Sequence, residues 1–290
     1  MDIFITGASG YLGGALTRVL TARGHRVRGL ARSDEAEAGV RSAGGLPVRG
    51  SLTDLPVLVR EAGLADAVVH TAATTTPDRP LVDEAAVTAM LTARPGAFVT
   101  TTGAPRARSS RTPVTEDDTA EATGPLAWLA DAEARVLDAG GAVVRPPLVY
   151  GDGGGPLARL VDLAAAEGVA RYADAGDNVW SVVHVADLAA AYALLVETPA
   201  RGVFHAAEAE PVPVRSLTGG VAEAAGVPAR SWPLEEALAT HGPSAVYLAS
   251  DAALDAGRLR GLGWEPVFGT AVGGVLGALG NPAQGYARRA

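Results

Sequence analysis

The chain contains no lysine. All 24 basic residues among its 290 are arginine, so no site in it has an ammonium side chain to work with. It contains no cysteine either, which removes disulfides, thiol redox chemistry, thiol nucleophiles and cysteine-ligated metal together. No uninterrupted apolar run approaches the roughly 20 residues that a membrane helix requires. The first strand is expected to begin at Asp2, with no space before it for a signal segment. These absences predict an unexported, cytoplasmic protein without a membrane partner. A net charge of -8 and a pI near 5.2 argue against a nucleic-acid partner, which would call for a basic face. Even the densest arginines, Arg106, Arg108 and Arg111, share a polar loop with Glu116, Asp117 and Asp118.

What is present is an alternating α/β pattern. Ile3 to Thr6, Arg26 to Leu30, Leu46 to Arg49, Ala67 to Thr71, Ala97 to Thr102 and Ala142 to Val149 read as strands. Helical segments at Tyr11 to Arg23, Asp34 to Ala43, Asp54 to Ala62, Val82 to Ala93 and Leu126 to Ala139 separate them. Such alternation predicts a Rossmann-type doubly wound parallel sheet. After Gly151 the rhythm weakens, and helices at Leu157 to Glu167, Asp187 to Glu197, Val214 to Ala225 and Leu234 to Thr240 follow without strands of similar quality. Val203 to Ala206 reads as one late return to the sheet. Residues 1–150 are therefore expected to form a dinucleotide-binding core, with a late return near 176–206. Residues 151–290 are expected to form mainly a smaller C-terminal substrate lobe.

Thr6-Gly7-Ala8-Ser9-Gly10-Tyr11-Leu12-Gly13 directly follows the first strand and opens the first helix. Gly7 permits the tight turn, Gly10 lets backbone approach a pyrophosphate, and Gly13 allows close helix-to-strand packing, while the helix N-terminus faces the phosphate. NAD sites place a carboxylate about 20 residues on, at the end of the second strand; NADP sites place arginine there. No carboxylate occurs between Asp2 and Asp34, and Arg32, followed by Ser33, stands at that strand end. NADP(H) is accordingly favoured over NAD(H), Arg32 forking onto a phosphate; the plain alternative is a solvated arginine.

Beyond the glycine turn, Asp54, Val69-His70-Thr71-Ala72-Ala73, Thr100-Thr101-Thr102, Arg145-Pro146-Pro147-Leu148-Val149-Tyr150-Gly151, Val183-His184-Val185-Ala186-Asp187 and Leu262-Gly263-Trp264-Glu265-Pro266 occur in this order. Together they resemble an extended short-chain dehydrogenase/reductase, of the NAD-dependent epimerase/dehydratase kind, over nearly the whole chain. The resemblance implies cofactor contacts from Gly7, Ser9, Gly10, Tyr11, Leu12 and Gly13. It adds Arg32 and Ser33, Asp54 and Leu55 toward the adenine, Thr71, Ala72 and Ala73 along the cofactor, and Pro147 and Leu148 near the nicotinamide. Strand-end packing, and for Asp54 a helix N-cap, are the alternative readings.

The same resemblance implies a Ser or Thr at the end of the fifth strand and a Tyr-x-x-x-Lys pair on the next helix. Thr102, with Thr101 beside it, matches the first; the pair is missing. Spacing from Thr102 puts Trp128 and Ala132 in its places, and counting back from Arg145 through Glu133 puts Pro125 and Leu129 there. No tyrosine lies between Gly13 and Val149. Asp131 and Glu133 lie on that helix, expected to be solvated near Arg135. His184 reads as a packing histidine. Tyr150 is the tyrosine nearest the presumed site, and Tyr172, His205, His241 and Tyr247 fall in the second lobe. No metal site is expected.

Three functions remain open: an NADPH-dependent reductase of a small molecule that needs no enzyme tyrosine; a non-redox isomerase, dehydratase or cyclase; and a non-catalytic NADP-sensing regulator. The alanine-rich, lysine-free composition suggests a GC-rich bacterial source and secondary-metabolite tailoring. Family members pair through the helices near 82–93 and 126–139, which implies a homodimer, although Leu126, Leu129, Val136 and Leu137 serve a sheet equally well.

Overall fold

The computed structural model describes residues 1–104, 107–121 and 126–268; Arg106, Pro125 and the tail from Gly269 lie outside them. The first elements are β1 (Asp2–Thr6), α1 (Tyr11–Ala22), β2 (Arg26–Ala31), α2 (Asp34–Ser42), β3 (Leu46–Arg49), α3 (Leu55–Gly63), β4 (Ala67–His70), α4 (Arg79–Thr92) and β5 (Ala97–Thr101). Then come α5 (Trp128–Asp138), β6 (Ala142–Arg145), β7 (Leu148–Tyr150), α6 (Gly155–Glu167), β8 (Ala170–Ala173), β9 (Val179–Trp180) and β10 (Val182–His184). The described chain closes with α7 (Val185–Glu197), β11 (Gly202–His205), β12 (Val212–Pro213), α8 (Val214–Ala225), β13 (Ala229–Trp232), α9 (Leu234–His241), α10 (Val246–Ala249) and α11 (Gly257–Gly261).

Two compact units emerge, the first made of Met1–Thr102, Ala127–Arg145 and Leu188–Phe204, the second of Gly103–Leu126, Pro146–Asp187 and the residues from His205 onward. A seven-stranded sheet ordered β11-β6-β5-β4-β1-β2-β3 organises the first. β1 pairs in parallel with both β2 and β4, with Thr6 opposite His70. The strand order reverses there, which opens a crevice beyond the carboxyl ends of β1 and β4 where an α/β sheet binds its ligand. Phe4, Leu30, Leu58, Val68, Met90 and Phe98 form the core beside it, each fully buried side chain contributing about 1.5–3 kcal/mol. Val136, fully buried, belongs to this core, and Leu137 packs against it, so both serve the sheet.

The strand expected from Ala142 to Val149 is two strands. Pro146 and Pro147 have no N–H to give a ladder. β6 therefore ends at Arg145, and β7 pairs in parallel with β10, Leu148 opposite Val182. In the second unit β8 pairs in parallel with β13 and β9 antiparallel with β12. These strands escaped notice because they are short and do not alternate with helices as regularly as β3 and β4 do, and β8 and β13 each carry an arginine where the buried β4 carries valine. Leu157, Val161, Val182, Leu217 and Val221 make this unit's core.

Candidate functional site

The glycine turn is built for close approach at two positions. Gly7 has φ +77°, and a Cβ on it would lie 2.8 Å from the Ala72 amide nitrogen; one on Gly13 would lie 2.1 Å from the Gly7 carbonyl oxygen. The turn thus sits against the start of α1 on one side and Thr71-Ala72 on the other. Thr71 adds a hydroxyl hydrogen bond to the Thr6 carbonyl at 2.8 Å. α1 begins at an extended Gly10 with no side-chain cap, the kind of helix start that suits an anion. The structure therefore brings Gly7, Gly10, Tyr11, Leu12, Gly13, Thr71 and Ala72 to one strand-to-helix corner, with Ser9 and Ala73 exposed beside it.

A second corner lies at the ends of β2 and β3, where the Gly50 amide donates to the Ala31 carbonyl at 3.1 Å. Arg32 follows Ala31 and is exposed. Two neighbouring carboxylates are occupied elsewhere: Arg49 holds Asp34 at 2.6 Å and Glu37 at 3.2 Å, and Arg41 holds Glu37 at 2.9 Å. Arg32 makes no ion pair among the described residues. Ser33 caps α2, its hydroxyl accepting from the Ala36 amide at 3.2 Å. Asp54 occupies the N-cap position of α3, but its carboxylate makes no cap hydrogen bond. The carboxylate stands instead beside Gly50, half-buried, and Leu55 opens the helix behind it.

Under this crevice runs a buried polar chain. Asp83 can only accept, so His70 Nε2 donates to it at 3.0 Å, leaving Nδ1 to accept from the Thr6 hydroxyl at 2.7 Å. At the end of β5, the Thr101 hydroxyl donates toward the His70 carbonyl at 3.4 Å and receives the Tyr192 hydroxyl at 2.5 Å. Burial pushes the Tyr192 phenol well above its ordinary range, so it stays a neutral donor. Tyr192 was not singled out from the sequence; its signal is a single phenol in the otherwise apolar run from Leu188 to Val196.

Glu133 corrects an expectation. It is not solvated: it is 3% exposed, and Arg145 clasps it with Nε to Oε1 at 2.8 Å and a terminal nitrogen to Oε2 at 2.6 Å. The Thr102 hydroxyl donates to the same Oε1 at 2.7 Å. Helical periodicity explains the error, because spacing alone could not tell which face of α5 meets the sheet. With Glu133 inward, Leu129 one turn earlier is buried, while Trp128 and Asp131 turn toward α4. There they line a cleft of about 440 Å³ with Asp83, Glu84 and Arg135, and the Arg79 guanidinium lies 5.2 Å from the Trp128 ring centroid. Trp128 and Asp131 are thus not brought to the hydroxyls of Thr101 and Thr102.

Tyr150, Pro147 and Leu148 belong to the second unit. The Tyr150 hydroxyl lies 2.8 Å from both Glu208 Oε1 and the Phe268 carbonyl. Glu208 Oε1 also receives the His184 amide at 3.1 Å, while Oε2 is buried without a partner among the described residues. His184 behaves as a packing residue, its ring stacked 4.0 Å from Phe268 and edge-on to Tyr150; burial lowers its affinity for a proton. His205 is buried with Nδ1 at 3.1 Å from the Asp255 carbonyl, and Tyr172 and Tyr247 are partly exposed.

Burial pushes the Glu208 carboxyl from an ordinary 4.5 up to about 7, against the opposing hydrogen bonds from Tyr150 and His184. The folded protein holds this proton more tightly than the unfolded chain does. Its favourable contribution is therefore complete below about pH 4.5 and is lost as pH rises through about 7. Thermal melts of Glu208→Gln are expected to show a flatter decline in Tm between pH 5 and 8 than the wild type; equal slopes would assign that decline to another group.

Comparison with known proteins adds to this geometry. Residues 3–94 match the NAD dependent epimerase/dehydratase family. An uncharacterized protein of Schizosaccharomyces pombe is 31% identical over 286 residues, covering 93% of this chain and 96% of that protein. The 4-hydroxy-2-methyl-3-oxo-4-farnesyl-3,4-dihydroquinoline-1-oxide ketoreductase of Stigmatella aurantiaca is 30% identical over 250 residues, 79% of this chain and 75% of that enzyme. The human epimerase family protein SDR39U1, solved with NADPH, shares the fold with TM-score 0.74 at 21% identity, over 95% of this chain and 98% of that one.

Proposed function

The chain belongs to the NAD dependent epimerase/dehydratase family, and from that premise we propose that it is an NADP(H)-linked reductase of a small carbonyl compound, working without a Tyr-x-x-x-Lys pair. The observation that carries this reading is Arg32, exposed at the end of β2 while Arg49 and Arg41 take up the carboxylates of Asp34 and Glu37. A guanidinium left unpaired at that position suits a 2'-phosphate, which it can fork onto with two charge-assisted hydrogen bonds. The uncapped start of α1 and the close packing around Gly7 and Gly13 fit a pyrophosphate. The Asp54 carboxylate, which makes no cap hydrogen bond, fits the adenine amino group. Reductase-named relatives in Stigmatella aurantiaca and Stenotrophomonas maltophilia favour reduction over the non-redox chemistries of the same family.

When bound, NADPH supplies a hydride to the carbonyl carbon. The oxygen must then gain one proton. Thr101 and Thr102 are both engaged, one by Tyr192 and the other by Glu133, and Tyr192 is fully buried with its hydroxyl committed to Thr101. The alkoxide therefore takes its proton from water, which suits quinones, enones and other substrates whose reduced oxygen is a modest base. The turn and Arg32 hold the cofactor, and the segment from Thr71 to Ala73 lies against the turn.

Titration with NADPH and NADH, followed by nicotinamide fluorescence, tests the reading. Wild type is expected to prefer NADPH. Arg32→Ala is expected to weaken NADPH at least tenfold, the low end for losing charge-assisted hydrogen bonds at an exposed site, and to leave NADH within threefold. Equal losses for the two cofactors would remove Arg32 from phosphate recognition, and no binding of either would remove redox chemistry.

A further inference from the structure

The second unit holds a cavity of about 340 Å³ walled by α6, β8, α8 and β13. Its floor is aliphatic, with Leu160, Leu217 and Val221, and its sides are the rings of Tyr172, Trp180 and Trp232. Two of the aromatic walls carry a guanidinium, one of them from Arg171, which itself lines the cavity. The Arg171 guanidinium lies 5.1 Å from the Trp232 centroid and that of Arg215 lies 5.8 Å from Tyr172. The Trp180 indole N–H is already spent on the Ser250 carbonyl at 3.0 Å. Most of this lining is apolar and offers a hydrocarbon much contact; the polar side chains in it are Glu167, Arg171, Tyr172 and Thr218. The Tyr172 hydroxyl, without a hydrogen-bond partner among the described residues, is a polar group left to orient one oxygen.

We propose that this cavity seats the hydrocarbon chain of the substrate, an aliphatic or isoprenoid chain on the order of ten carbons for a pocket at the small end of the ligand-binding range. The substrate class is accordingly a lipophilic quinone or enone rather than a sugar nucleotide, most of whose hydroxyl groups would be desolvated against a largely apolar lining. This assignment of the chain to a substrate rests on the reductase reading, whereas the cavity's taste for hydrocarbon does not. Leu163, 53% exposed on α6, stands at the rim, and Leu248 of α10 closes the opposite side; neither is part of the main core.

The probes are 2-heptanone, 2-nonanone and 2-undecanone, titrated into the full chain without cofactor and followed by tryptophan fluorescence, since Trp180 and Trp232 form the walls. Affinity is expected to rise about fourfold per added methylene, the transfer free energy of one CH₂. Leu163→Arg and Leu248→Arg are each expected to weaken 2-undecanone at least tenfold. Leu163 is exposed enough for its variant to fold, and NADPH binding equal to wild type in either variant confirms a folded protein. Affinity independent of chain length, or unchanged in both variants, overturns the assignment. NADPH titration reports separately: ketone binding without NADPH binding overturns the reductase reading and keeps the cavity as a hydrocarbon site, while NADPH binding without ketone binding does the reverse.

Discussion

Replacing Arg145 by alanine is expected to cost about 3–5 kcal/mol of unfolding free energy, the penalty for stranding a buried charge, and to lower Tm by roughly 5–10 °C. Arg145 is 2% exposed and Glu133 3%; removing the guanidinium leaves the carboxylate with the Thr102 hydroxyl as its remaining neighbour from this cluster. The loss belongs to the broken pair and not to the charges as such. The double variant Glu133→Leu with Arg145→Met, of similar volume, is expected to recover most of the single-variant loss. Urea unfolding of wild type, single and double variants measures both quantities. A single-variant loss under 1 kcal/mol would mean that water reaches the pair and that Thr102 is not held by it.

The second large effect is expected at Gly13. A Cβ there would stand 2.1 Å from the Gly7 carbonyl oxygen, far inside van der Waals contact, so Gly13→Ala must push α1 away from the end of β1. Alanine's better helix propensity, about 1 kcal/mol, is too small to offset that overlap. NADPH affinity is expected to fall at least 100-fold, because the first-turn N–H groups move with the helix. Gly14→Ala is the control. Its Cβ meets the Ala8 carbonyl at 3.6 Å and nothing closer, so binding is expected within twofold of wild type. Equal losses in the two variants would point to general damage to α1 and not to the turn.

Several details resisted sequence reading for one reason: a period locates a helix but does not say which face is covered. Glu133 and Asp131 sit two residues apart on α5 and look alike in sequence. One clasps Arg145 in the core and the other faces the α4 cleft, because packing of α5 on β5 and β6 chooses the inward side. Tyr192 and Glu208 meet Thr101 and Tyr150 across 91 and 58 residues, separations that no local motif spans. The proline pair at Pro146-Pro147 could have been read as the end of β6, since neither residue has an N–H to donate.

Local chemistry determined much of the molecule in advance. The glycine turn, Arg32 at the end of β2, the order of strands and helices in the first unit and the lack of lysine and tyrosine at the usual catalytic positions all follow from residue type at short spacing. There the relevant physics is steric freedom, hydrogen bonding and charge within a few residues. Long-range packing alone decided which hydroxyls are already committed, that Asp34 and Glu37 turn to Arg49 and leave Arg32 without an ion pair among the described residues, and that α6, α8 and two short parallel strands enclose a largely apolar cavity. Desolvation and pairing energies depend on neighbours brought together by the fold, and those neighbours are not near one another in the chain.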